Sequence, residues 1–124
     1  MSKFSQGLIM LPDSELTVLQ LIWDMAKNNG GRYFEITASA LLSNYPEQLG
    51  HIKLTTVLTL ITRLASKNCI RIERGGRANY YIPLVSEEAY KRAALDDFLK
   101  RVYHSDASAL ISDITKLSDS EQRE

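Results

Sequence analysis

The chain is poor in the residues that build metal and redox sites: one cysteine, Cys69, and two histidines, His51 and His104, in 124 residues. A lone cysteine forms no internal disulfide, and a zinc site wants four ligands, usually Cys and His at short spacings. Neither histidine has a cysteine beside it or a second histidine four residues away. No metal and no cofactor is therefore expected. Long apolar runs are lacking too. Nothing approaches the roughly 20 residues that cross a membrane, and Leu8 to Leu11 is too short for the core of a signal peptide and lacks a cleavage pattern. A cytoplasmic protein without a membrane partner is expected. No acid, base and nucleophile cluster together, so an enzyme is not expected either.

Net charge is also absent, since 15 basic residues balance 15 acidic ones. The balance hides a segregation. Between His51 and Ile82 stand Lys53, Arg63, Lys67, Arg71, Arg74 and Arg77 against Glu73 alone, a net of +5, and the rest of the chain carries −5. No acid lies between Glu47 and Glu73. An acid-free basic stretch is what a surface facing phosphates requires.

What is present is helical periodicity. Leu16, Leu19, Ile22, Trp23 and Ala26 predict a first helix over 13–28, started by Pro12, Asp13 and Glu15 and stopped by Asn28, Asn29, Gly30 and Gly31. Tyr33 to Ile36 reads as a short strand, Thr37 as the cap of a second helix carrying Ala40, Leu41 and Tyr45, and Pro46 to Gly50 as a loop. Over 53–68, Leu54, Val57, Leu60, Ile61 and Leu64 gather on one side of a third helix. Thr55, Thr59, Thr62, Arg63 and Ser66 gather on the other. Residues 70–82 alternate around Arg74-Gly75-Gly76-Arg77, a hairpin with a basic tip. A helix over 87–104 follows, capped by Ser86, with Tyr90, Ala94, Phe98 and Val102 at intervals of four and Leu95 and Leu99 beside them. A shorter helical pattern holds Ala107, Leu110, Ile111, Ile114 and Leu117, and Ser118 to Glu124 is expected to fray.

Three helices followed by a basic two-stranded hairpin is the order of a winged helix-turn-helix. In that fold the third helix enters the major groove and the hairpin reaches the backbone or the neighbouring minor groove. Threonine is a poor helix former, so Thr55, Thr56, Thr59 and Thr62 on an exposed helical face call for a reason. Short hydroxyl donors approach phosphates and bases closely, and their methyl groups pack on thymine. The expected fold is mainly α with a small β-hairpin wing. Residues 1–84 form the winged-helix DNA-binding domain, and 85–124 form a C-terminal helical dimerisation region. Lys53, Thr55, Thr56, Thr59, Arg63, Arg74 and Arg77 are the expected contacts to double-stranded DNA. The alternative is a winged-helix module whose basic face meets an acidic protein.

Thr59-Leu60-Ile61-Thr62-Arg63-Leu64, preceded by Thr56-Val57, resembles the recognition-helix motif K-T-[IV]-x-T-x-x-x-R-L of the penicillinase-repressor family (BlaI/MecI/CopY type). Asp13-Ser14-Glu15-Leu16 with Ile22-Trp23 resembles that family's first helix, and Gly76-Arg77 followed by Tyr81 and Pro83 its wing. The resemblance covers about residues 11 to 118. It implies a homodimeric repressor on a palindromic operator, with residues 86–117 as the dimerisation arm. The apolar arm residues Tyr90, Ala94, Phe98, Leu99, Val102, Leu110 and Ile114 are the expected dimer contacts, because little of the domain remains to bury them.

Three positions depart from the family pattern. Thr55 stands where the motif has lysine, with Lys53 nearby as a substitute, and Leu58 stands where the family is often polar. The antibiotic-responsive branch is relieved through a membrane sensor protease, with cleavage at an Asn-Phe bond. The resemblance thus implies a regulatory protease as a possible partner, but the aligned pair here is Asp97-Phe98, so the same cleavage is not expected. With no cysteine after Cys69, the copper-responsive branch is not indicated. Trp23 and Cys69 read as core residues, His51 as a loop residue, and Tyr80 and Tyr81 as one ring outside and one inside.

Overall fold

A computed structural model describes residues 3, 4 and 7–122. Two compact units emerge: Leu11–Ala89, and the described residues of Met1–Met10 together with those of Tyr90–Glu124.

The first unit opens with α1, Asp13–Asn28, over the expected span, with Asp13 and Glu15 in its first turn. Gly30 and Gly31 adopt φ of 65° and 83°, and the Gly31 amide donates to the Ala26 carbonyl at 2.8 Å, which ends the helix. The expected strand at Tyr33 to Ile36 does not form. These residues turn instead, with the Ile36 carbonyl accepting from the Tyr81 amide at 3.1 Å. Phe34 is exposed, so its strand preference finds no packed surface to act on. Thr37 caps α2, Ala38–Asn44, its hydroxyl accepting from the Ala40 amide at 3.1 Å. Pro46 then starts a single-turn α3, Pro46–Leu49, where a plain loop was expected.

The third helix of the sequence reading is α4, Leu54–Ser66. Asn68 closes it at φ 60°, with the Cys69 amide donating to the Leu64 carbonyl at 3.0 Å. The hairpin follows as β1, Ile70–Arg74, antiparallel to β2, Asn79–Pro83, with Ile70 opposite Pro83 and Arg74 opposite Asn79. Val18, Leu19 and Ile22 of α1, Leu41 of α2 and Val57 and Leu64 of α4 are fully buried, joined by Ile70 and Tyr81. Each such aliphatic side chain contributes about 1.5–3 kcal/mol of burial. Trp23 is core, as expected, and its indole N–H donates to the Val85 carbonyl at 2.9 Å. That bond pins the segment leaving the hairpin.

Helix α5, Glu87–Tyr103, starts at Ser86, whose hydroxyl accepts from the Ala89 amide at 3.1 Å. His104 and Ser105 take left-handed conformations, and Asp106 caps α6, Ala107–Gln122, by accepting from the Ala109 amide. The helix thus continues through the stretch expected to fray, because Ser118 to Gln122 holds no Gly or Pro to break it; residues 123 and 124 lie outside the described ones. Tyr103 ties the two helices, its hydroxyl donating to Asp113 at 2.9 Å.

Candidate nucleic-acid interface

The division of α4 into two faces is observed. Val57, Leu60, Ile61 and Leu64 are buried, and Thr55, Thr56, Thr59, Thr62, Arg63 and Ser66 are exposed. Leu54 is the exception. Expected on the apolar side, it is 42% exposed, because the first residue of the helix projects past the core, and Leu58 is 41% exposed.

The hydroxyls divide into two sets. Thr59 donates to the Thr55 carbonyl at 3.0 Å, Thr62 to the Leu58 carbonyl at 2.9 Å, and Ser66 to the Arg63 carbonyl at 2.8 Å. These back-bonds satisfy the side chains within the helix. Thr55 and Thr56, in the first turn, have no such bond among the described residues. No side chain caps the helix start at Lys53 either. The open donors of α4 are therefore at its N-terminal end, where unsatisfied amides and the helix dipole also favour an anion.

The six cations of the basic stretch divide as well. Lys67 lies with its ammonium 2.5 Å from the Glu15 carboxylate, and the two side chains are 16% and 4% exposed. It joins the start of α1 to the end of α4, so its charge is held against Glu15 and not on the open face of α4. Arg71 pairs with Glu73 two residues along the same strand. Lys53, Arg63, Arg74 and Arg77 are exposed, with no ion pair among the described residues. They are the four cations expected at the interface.

Two clefts flank the hydroxyl stripe. One, about 360 Å³, is lined by Ser14 and Thr17 of α1, by His51, and by Thr56 and Arg63 of α4. Arg63 thus faces the α1 side, and Ser14, Thr17 and His51 join it there. Ser14 and Thr17 were not legible as neighbours of Arg63 in the sequence, because α1 hydroxyls carry no positional signal toward α4. The other cleft, about 170 Å³, brings Leu54 and Leu58 beside Thr37, Ser39 and the hairpin residues Ala78 and Asn79. At the hairpin tip the Gly75 amide donates to the Ala78 carbonyl at 3.1 Å, and a Cβ on Gly75 would lie 2.3 Å from that oxygen. Glycine is required there by close approach, and it sets Arg74 and Arg77 on either side of a tight turn.

Cys69 is buried, and burial raises its thiol pKa, so it is no activated nucleophile. Tyr45 donates to Asp24 at 2.6 Å, and burial followed by that carboxylate pushes its pKa up to about 12. Of the two hairpin tyrosines, Tyr81 is buried and Tyr80 half-buried. Among the described residues no group of three His, Cys, Asp or Glu gathers as a metal site, and no helix is long and apolar enough to cross a membrane.

The arm residues split in a way that their four-residue spacing conceals. Tyr90 is buried, its ring edge-on to Phe4 with centroids 5.1 Å apart, and Leu110 is buried too. Both are used within the chain. Ala94 and Leu99 are half-buried, and Phe98, Val102 and Ile114 are exposed, together with Leu95, Ile111 and Leu117. Asp97-Phe98 lies mid-helix in α5, with Asp97 buried and accepting from Arg101 at 3.1 Å.

None of the curated proteins matches the chain in sequence. Among solved structures, the solution structure of the monomeric form of Bacillus licheniformis BlaI in complex with the blaP half-operator is similar. It has 22% identity and a TM-score of 0.50, with 67% of this chain and 90% of that chain covered. That likeness establishes the winged-helix fold. The penicillinase repressor family matches residues 11–124, which include α1, the hydroxyl-bearing α4, the basic hairpin and both arm helices. The chain therefore belongs to the penicillinase repressor family of DNA-binding repressors.

Proposed function

We propose that the chain acts as a homodimeric transcriptional repressor on a two-fold symmetric operator, with α4 in the major groove and the β1–β2 hairpin on the flanking backbone. The observation that carries this reading is the set of four cations, Lys53, Arg63, Arg74 and Arg77, exposed and with no ion pair among the described residues, around a helix face free of acid. Thr55 and Thr56 supply open donors to phosphate or base. Thr59 is exposed, and with its proton committed to the Thr55 carbonyl its hydroxyl oxygen remains an acceptor. Family membership supports the role, and the BlaI structure of the same fold is a complex with a half-operator.

The dimer rests on the exposed stripe of Phe98, Val102 and Ile114 with Leu95, Ile111 and Leu117, for which a second copy is the natural cover. Relief of repression by cleavage at Asp97-Phe98 is not part of the proposal, since that bond sits within a helix and beside a buried carboxylate.

Selection from a randomised duplex pool, followed by footprinting and sedimentation, tests the reading. An enriched site with two half-sites about 34–36 Å apart, binding that falls steeply with salt, and a dimer in solution are expected. A pool that enriches no sequence would overturn it in favour of a protein-contact module.

A further inference from the structure

Leu54 and Leu58 stand one turn apart on α4, and each keeps about two-fifths of its surface in water. A single exposed leucine is ordinary on a protein surface. Two stacked leucines beside an alanine at the hairpin tip form an apolar facet, and this one lies along the edge of the hydroxyl stripe. Leu58 has Thr55 three residues before it and Thr62 four residues after it on the helix surface. Lys53 precedes the facet; across the cleft of about 170 Å³ stand Ala78 and Asn79, Ala78 following Arg77 in the chain and Asn79 opposite Arg74 in the hairpin. An apolar patch framed by exposed cations fits a surface that is itself apolar in patches and lined by phosphates.

We propose that Leu58, supported by Leu54 and Ala78, is a specificity-determining contact that reads the 5-methyl group of thymine in the major groove. The proposal rests on the DNA-binding reading above and deepens it. Thymine is the one base that presents an apolar group in that groove; the other base edges there offer hydrogen-bond donors and acceptors. A leucine cannot satisfy those edges, and placing it against them would leave a polar group unpaired. Leu58 therefore selects thymine both by attraction to its methyl and by exclusion of other bases. Arg63 lies on the opposite flank of α4, in the cleft with Ser14, Thr17 and Thr56, so the two flanks read different features of one site.

The test uses the full-length protein and its selected duplex, with thymines replaced one at a time by uracil, a change that removes only the methyl. At one thymine in each half-site, uracil is expected to weaken binding about 4-fold, equivalent to ~0.8 kcal/mol for one buried methyl group. Leu58→Ala is expected to bind with lower affinity and to lose that uracil effect, while retaining the salt dependence and the sensitivity to Arg63→Ala. Leu58→Gln is expected to relax the preference for thymine at the same position. Both changes are at an exposed position, and the thermal transition should be unaltered. Specific binding that is indifferent to every uracil substitution, or an undiminished uracil effect in Leu58→Ala, would overturn the leucine assignment alone. Absence of any preferred duplex for the wild-type protein would overturn the assignment together with the reading on which it rests.

Discussion

In Leu11–Ala89 the large aliphatic residues of α1, α2 and α4 meet one another, and Leu19, Ile22, Leu41, Ile61 and Leu64 are almost wholly buried. In Tyr90–Glu124, Leu95, Phe98, Val102, Ile111, Ile114 and Leu117 keep 41–68% of their surface in water. Both regions show helical apolar periodicity in the sequence. Periodicity states that a face needs cover; it does not state what covers it. The first unit covers its faces with its own helices and hairpin. The second covers Tyr90 with Phe4 and leaves the opposite side of α5 and most of the α6 stripe open.

The sharpest way to break this contrast is to place charge on the open stripe. Ile114→Glu combined with Leu117→Glu puts two carboxylates where a second copy is proposed to pack, and burying them costs several kcal/mol. The dimer is expected to weaken at least about 100-fold, ~3 kcal/mol, by sedimentation. The melting of Leu11–Ala89 should stay unchanged. Unfolding of that unit by the same pair of substitutions would mean that the stripe belongs to a shared core.

A second test lies in the first unit, at the Glu15–Lys67 pair. Glu15→Ala leaves a largely buried ammonium without its partner, and breaking such pairs typically costs about 3–5 kcal/mol. Lys67 retains some access to water, so the expected loss is about 2–3 kcal/mol in denaturant unfolding, with m unchanged. Dimerisation should be affected little. A loss below about 0.5 kcal/mol would show that the pair is incidental to the packing of α1 on α4.

The pair also marks where sequence reading ran out. The helices, the Thr37 and Ser86 caps, the glycine stop after α1 and the hairpin were legible because each rests on local chemistry, within four residues or so. The two faces of α4 were legible for the same reason. Lys67 was counted with the basic surface because its partner stands 52 residues earlier. The Phe4–Tyr90 contact was illegible for a like reason, spanning most of the chain. Tyr33 to Ile36 misled differently. Its composition favours a strand, but a strand needs a free sheet edge along its whole length, and among the described residues the edge of β2 takes a single bond.

Within the interface the comparison narrows to two arginines. Arg63, in the cleft beside α1, is expected to read a base, and Arg77, at the hairpin tip, a phosphate. Arg63→Ala should cost about 1–3 kcal/mol of discrimination between the selected site and a scrambled duplex. Arg77→Ala should weaken both duplexes alike and reduce the salt slope by about 1. Equal losses on both duplexes for Arg63→Ala would reassign it to the backbone.

The smallest expected effect concerns Tyr45, which links the residue after α2 to Asp24 on α1. Its hydroxyl donates to a carboxylate, and that bond exists only while the phenol is protonated. Because the pKa is raised from 10.0 to about 12, its contribution to stability is fully present below pH 10 and is lost as pH rises toward 12. The bond is exposed to solvent, so Tyr45→Phe should cost only about 1 kcal/mol at neutral pH. Thermal melts of the two proteins from pH 8 to 12 should show a gap that is constant up to pH 10 and then closes. The arm offers an internal control in Tyr103, whose pKa is raised chiefly by its bond to Asp113 at the surface. Tyr103→Phe should leave the transition of the winged-helix unit unmoved, because Tyr103 and Asp113 both lie in the other unit. A gap for Tyr45→Phe that persists unchanged at pH 12 would mean that the ring's packing, and not its hydroxyl, holds α1 to the end of α2.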